Sequence, residues 1–221
     1  MWKNRPPNEE PAIRAEFWNY LGMTGFDSWL QQTLQGDYMV HCLEGESLNK
    51  IFKDLRELIA KGNPFAVKLQ NFYRNVLGKD YELPESEPHI ESMLDIVLPV
   101  SEKVIKKCFF FPLLPGKEEE HRLFRKESMG EKKKRHEASM RAFGVSHLST
   151  WLQSSPEGKY IVVYSERNIN TPATPAARLN QAKGSSEWQE ISSILSDHTG
   201  LKPDDLSPDS EWLTEPKNYA L

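Results

Sequence analysis

The stretch Ser149–Val163, STWLQSSPEGKYIVV, restates Asp27–His41, DSWLQQTLQGDYMVH, and the offset between them, 151 − 29 = 122 residues, decides how the chain is read. With that one offset and no gap, Gly22 falls on Gly144 and Trp29-Leu30-Gln31 falls on Trp151-Leu152-Gln153. Gly36, Tyr38, Val40 and Glu44 fall on Gly158, Tyr160, Val162 and Glu166. Ala60-Lys61-Gly62 then falls on Ala182-Lys183-Gly184, and Gly78 on Gly200. Glycine ends helices and opens turns because it alone enters the left-handed region freely. Glycines held in one register therefore mark shared element ends, and the chain reads as a tandem duplication.

Each copy spells the same elements. In the second, Lys107–Leu114 (KCFFFPLL) reads as a strand closed by Pro115-Gly116. A charged helix is expected from Lys117 to about Phe143, with His136, Met140 and Phe143 as its stripe and Gly144 as its stop. Leu148–Gln153 and Lys159–Ser165 form a hairpin about SSPEG. A weak helix near Pro175–Lys183 follows, then a helix carrying Trp188, Ile191, Leu195 and His198 to Gly200, then a short strand at Glu211–Thr214. In the first copy the helix Pro11–Leu21 sets Ile13, Phe17 and Tyr20 on one side, and Phe26–Gln31 with Tyr38–Leu43 makes the hairpin. Leu48, Phe52, Leu55 and Ile59 give a helix to Gly62, Asn63-Pro64 opens another to Gly78, and Met93–Val97 is the closing strand.

The order strand, helix, strand, strand, helix, strand is the ferredoxin-like unit. The expected fold class is α+β: two tandem ferredoxin-like (βαββαβ) repeats, residues 1–98 and 107–221, joined by a linker at 99–106. Counting back 122 residues from KCFFFPLL places its counterpart before Met1, so the first repeat should lack its first strand. Either a segment from elsewhere fills that slot, or the reading frame starts upstream. A lone ferredoxin-like sheet leaves one face bare, at about 25 cal/mol per Å² of exposed apolar area. Two such faces pressed together relieve that cost, so an intrachain dimeric α/β barrel is expected.

Composition narrows the classes. A net charge of −4 argues against a nucleic-acid partner, which needs a basic surface. The opening MWKNRPPNEEP has no apolar core of a signal peptide, and no apolar run is long enough to span a bilayer, so no membrane and a cytoplasmic location are expected. Cys42 and Cys108 form no metal spacing; reduced buried thiols are the simplest reading, with a single bridge between them left open. No phosphate loop, zinc signature or nucleophile motif is present, so no cofactor and no metal are expected.

The hairpin places candidate chemistry. If SPEG is the turn, Gln153 faces Tyr160, Trp151 faces Val162, Ser149 faces Tyr164 and His147 faces Glu166, all on one side of the sheet. Leu148, Leu152, Ile161 and Val163 fall on the other, apolar side, which is assigned to the helices. The mixed side, with Trp151, Gln153, Tyr160 and Tyr164 and their first-copy relatives Trp29, Gln31 and Tyr38, suits the wall of a small-molecule pocket. The same Trp and Gln residues equally suit plain packing. His147 with Glu166 reads as a base with an orienting carboxylate, a pair the first copy lacks because Gly25 stands opposite Glu44. His136 on its helix stripe is a further candidate, and His121 could face the barrel mouth. His41 and His198 align with Val163 and Val76, which favours packing. The run Glu131–Arg135 reads as a solvated helix face.

The string FPLLPGKEEEHRLF, followed by MGEKKKRHEASMRAFGVSHLSTWLQSSPEGKYIVVYSE, resembles a family of small uncharacterised bacterial proteins with the dimeric α/β-barrel fold. The likeness covers most of residues 108–200 and, in degenerate form, roughly 14–84. It implies the fold and no particular reaction. Two functions follow as expectations: a small-molecule-binding barrel, working without a metal on a small, partly apolar substrate, or a non-catalytic structural or interaction module with a filled barrel. On the second, the incomplete sheet edge is where a further strand or a second copy would add.

Overall fold

A computed structural model describes residues 11–33, 36–78, 80–84, 87–99, 103–168, 186–202 and 210–212. The elements run α1 (Pro11–Tyr20), β1 (Met23–Thr33), β2 (Gly36–Gly45), α2 (Leu48–Ala60), α3 (Pro64–Phe72, extended by a π-helical turn Tyr73–Leu77), β3 (His89–Val97) and β4 (Val104–Pro112). There follow α4 (Glu118–Met129), α5 (Lys133–Ala142), β5 (Val145–Ser155), β6 (Gly158–Asn168), α6 (Ser186–Thr199) and β7 (Ser210–Trp212). The chain is α+β with two antiparallel sheets, of order β2-β1-β7 and β3-β5-β6-β4, compatible with ferredoxin-like units. The expected helix at Pro175–Lys183 lies outside the described residues.

Local chemistry sets the element ends. Ser47 caps α2 through Lys50 N, and Asn63 caps α3 through Phe65 N and Ala66 N. Gly22, Gly62, Gly78, Gly144 and Gly200 all sit at φ between 63° and 72°, the left-handed stops that the repeat register anticipated. The single long helix expected from Lys117 breaks at Gly130 (φ −97°, ψ −111°) into α4 and α5. Glycine is the weakest helix former in that span apart from proline. Tyr20, expected inward, is 49% exposed; Leu21, at 1%, takes its place.

The closing strands are exchanged. Met93–Val97 was expected to complete the first copy's sheet; instead β3 lies antiparallel to β5, with Asp95 opposite Ser149 and Val97 opposite His147. Reciprocally β7, from the second copy, lies against β1, with Trp29 opposite Trp212. In a ferredoxin-like unit the closing strand pairs with the first strand, and the first copy has none among the described residues. β3 therefore finds its backbone partners, and burial for Leu94 and Ile96 against Met140, in the other sheet. The two sheets then match place for place: β7-β1-β2 against β3-β5-β6, with β4 having no counterpart among the described residues.

The chain divides into two compact units, the described parts of Met1–Ser28 with His41–Glu87, and of Trp29–Val40 with Pro88–Trp212. In the first, Phe17, Leu21, Met23, Ile51, Leu55 and Ala66 form the core. In the second, Phe109, Phe111, Leu113, Leu152, Ile161 and Val163 pack with Leu195 of α6, so the apolar side of β5–β6 carries the helices, as its alternation implied. Each fully buried side chain there contributes about 1.5–3 kcal/mol.

Candidate functional site

β5 and β6 pair in the register the turn residues imply: Gln153 with Tyr160, Trp151 with Val162, Ser149 with Tyr164 and His147 with Glu166. On the mixed side of this sheet the exchanged β3 adds a residue that the hairpin alone could not reveal. Asp95 stands beside Ser149, accepts the Ser149 Oγ–H at 2.5 Å, and lies 2.9 Å from His147 Nε2. Ser149 Oγ is itself 2.9 Å from that nitrogen. An ionised carboxylate only accepts hydrogen bonds, so Nε2 carries the imidazole proton and Nδ1 is the bare acceptor of neutral His147. Nδ1 faces Glu166 Oε1 at 4.0 Å, beyond hydrogen-bond reach, and Glu166 accepts the Tyr164 hydroxyl at 2.6 Å. The expected orienting carboxylate was Glu166; the carboxylate that holds the ring is Asp95.

The electrostatics follow from these contacts. The Ser149 hydroxyl, and after it His147, hold the Asp95 carboxyl below the usual range. A proton taken at Nδ1 makes an imidazolium flanked by Asp95 on one side and Glu166 on the other. His147 and Glu166 are each 25% exposed, so the ring meets solvent. Ser149 is 3% exposed and its proton points at Asp95. The arrangement therefore suits proton transfer by His147, and Ser149 is placed as a positioning group without the base that a nucleophile requires.

The remaining candidates separate by copy. Trp29 is wholly buried edge-on to Tyr164, whose ring also meets His147 at 5.4 Å. Gln31 is 3% exposed, and its amide makes two 2.9 Å bonds with the backbone of Phe110: Nε2 donates to the carbonyl and Oε1 accepts from the N–H. These two groups lie on the edge of β4 away from β6, where no described strand is hydrogen-bonded, so Gln31 acts as a surrogate strand. Tyr38 and Tyr160 both pack on the Phe110 ring. Trp151 and Gln153, by contrast, are half-buried, and Gln153 makes no side-chain hydrogen bond among the described residues.

The other histidines lie elsewhere. His136 is buried on α5, and burial holds it at about 4. α5 packs on the helix-covered side of β5, so His136 is not part of the His147 group. His121, expected toward an opening, is fully buried against His198 and Arg125. His41 stacks on Phe26 and bonds Ser28 at 2.7 Å, a packing role. Cys108 is buried and Cys42 half-buried, and neither is in a disulfide. Among the described residues, Glu120, Asp197 and His198 stand close enough together to hold a metal ion, but the Lys117 ammonium already holds both carboxylates, at 2.7 and 2.8 Å. An open groove of about 480 Å³ between β3 and α4 is bordered by Met93, Met129 and the Arg122–Glu91 pair, away from His147. No described helix is long and apolar enough to cross a membrane.

Asp95 carries no sequence signal, because its neighbours in space come from a strand exchange. Comparison of the chain with protein-family profiles, with curated proteins and with solved structures gives no match.

Proposed function

We propose that the chain is a tandem ferredoxin-like duplication of the bacterial α/β-barrel type it resembles, closing as an intrachain barrel. In this reading its second copy binds a small, partly apolar molecule and moves a proton on it without a metal. The observation that carries the reading is the triangle Asp95–Ser149–His147, which fixes one imidazole nitrogen and leaves the other bare opposite Glu166. His147 Nδ1 accepts a proton from a weakly acidic O–H, N–H or C–H of the ligand. Asp95 keeps the ring in its tautomer, and Tyr164 keeps Glu166 in place. Trp151 supplies an apolar wall, and Gln153 an amide with no side-chain hydrogen bond among the described residues.

The test is a screen of small carbonyl and heteroaromatic compounds in deuterated buffer, following loss of exchangeable C–H signals by NMR. Exchange accelerated by the wild type and lost in His147→Gln, with the fold intact, supports the reading. Ligands that bind but exchange equally fast with His147→Gln remove the catalytic part.

A second reading, a structural or interaction module, is favoured by one observation. Trp29 and Gln31 are wholly committed to packing and to the β4 edge. No ligand response at Trp151 or Gln153 across the screen would make it the working description.

A further inference from the structure

α4 turns an unusual face inward. His121, Phe124, Arg125 and Ser128, at the i, i+3, i+4, i+7 spacing of one helix side, are all buried, and only Phe124 is apolar. Arg125 is 4% exposed. Its Nε–H donates to His121 Nε2 at 3.3 Å, which leaves the His121 proton on Nδ1 to donate to His198 Nδ1 at 3.2 Å. Phe124 lies under the guanidinium at 4.9 Å. All these partners are neutral.

Arg125 forms no ion pair among the described residues, and the carboxylates of its own and the neighbouring helices are held by other cations. Glu118 is bound to Lys159, Glu119 to Arg122, Glu120 and Asp197 to Lys117, Glu127 to Lys132, and Glu190 to Lys132 and Arg135. An isolated buried charge is strongly unfavourable unless something pairs with it. Arg125 remains a cation at neutral pH, since burial lowers it only to about 10.

A second set of observations points to the same interior. His136 Nε2, on α5, is buried without a hydrogen-bond partner among the described residues, and the guanidinium acts on this ring electrostatically. Thr150 of β5 and Ser165 of β6, each 1% exposed, also have hydroxyls without a partner among the described residues. Both stand on the helix-covered side of the two central strands, the side that α5 and α6 pack against. A guanidinium without an ion-pair partner and three polar atoms without a hydrogen-bond partner, among the described residues, lie on the buried faces of α4 and α5 and the helix-covered side of the sheet.

We infer that this interior holds a small oxyanion, of the phosphate or carboxylate type, paired with Arg125 and hydrogen-bonded by His136, Thr150 and Ser165. The anion supplies the charge that Arg125 lacks and the acceptors that the two hydroxyls need. It lies under the helices, on the side of the sheet opposite His147, so it is separate from the site proposed above.

The test uses the whole chain, freed of multivalent anions, with thermal unfolding followed as inorganic phosphate or sodium acetate is added at constant ionic strength in chloride. Saturable stabilisation by either, with phosphate marking a dianion site and acetate a carboxylate site, is expected. Arg125→Met should abolish the response. Thr150→Val, which keeps shape and removes one donor, should weaken apparent affinity about 5- to 10-fold, following the loss of one hydrogen bond, and serves if Arg125→Met does not fold. No saturable response in the wild type, or an undiminished one in Arg125→Met or Thr150→Val, overturns the inference.

Discussion

Replacing Gln31 by leucine should unfold the second unit far more readily than replacing Gln153 by leucine, although the two residues occupy equivalent places in the repeat. The Gln31 amide satisfies both the N–H and the C=O of Phe110 at 2.9 Å, and its side chain is 3% exposed. Leucine preserves the bulk and removes both bonds. Two hydrogen bonds at about 1 kcal/mol each, plus part of the desolvation cost of the two orphaned backbone groups, give a loss of about 2–4 kcal/mol. For a chain of this size that is about 5–12 °C in midpoint temperature. Gln153 has no such partner, and leucine there should change stability by no more than about 0.5 kcal/mol. Urea unfolding followed by tryptophan fluorescence, with slopes compared to confirm that the transition is unchanged, measures both. A Gln31→Leu loss below about 1 kcal/mol, or equal losses for the two variants, would refute the surrogate-strand role.

The tryptophans should divide in the same way. Trp29→Ala, at a wholly buried ring, should cost about 3–5 kcal/mol. Trp151→Ala, at a half-buried one, should cost clearly less in the same urea assay. Acid should weaken the fold through His136, because its folded value of about 4 lies below the ordinary 6.5. The unfolded chain takes the proton first, and stability falls as pH drops from about 6.5 toward 4. By pH 4.5 this residue should account for about 2–3 kcal/mol of loss, and His136→Leu should flatten that part of the pH profile of the urea midpoint. Ser149→Ala should let the Asp95 carboxyl titrate at higher pH, since the Ser149 hydroxyl is the largest influence holding it down. Carbon-13 NMR of the carboxyl group reads this directly, and an unmoved Asp95 would remove Ser149 from the positioning of the site.

Much of the local structure was written in short spacings. The glycines at 22, 62, 78, 144 and 200 end their elements because few other residues take positive φ without strain. The SPEG turn fixes the β5–β6 register because a hairpin of given loop length admits few pairings. That register was enough to place His147, Ser149, Tyr164 and Glu166 on one side of one sheet. The buried side of α4 was also legible as a period. A hydropathy reading passes over it, however, because His121, Arg125 and Ser128 are polar and nothing local says that they are buried.

What the sequence could not disclose depends on contacts between distant segments. Two strands with the same alternation are interchangeable as far as local pattern goes, so nothing in HIESMLDIV says which sheet it joins. The answer came from partner availability. The first copy offers no first strand among the described residues, while β5 offers a long ladder and Met140 a place to bury Leu94 and Ile96. That choice brings Asp95 to His147 and makes a site of what was half a site. The fates of Gln31 and Gln153 diverged for a similar reason: both follow Trp-Leu, but among the described residues only Gln31 reaches a backbone edge, that of Phe110. Local sequence determined the elements, because turn and helix-stop energies act over a few residues. Pairing and burial, which act across the whole chain, decided where the chemistry sits.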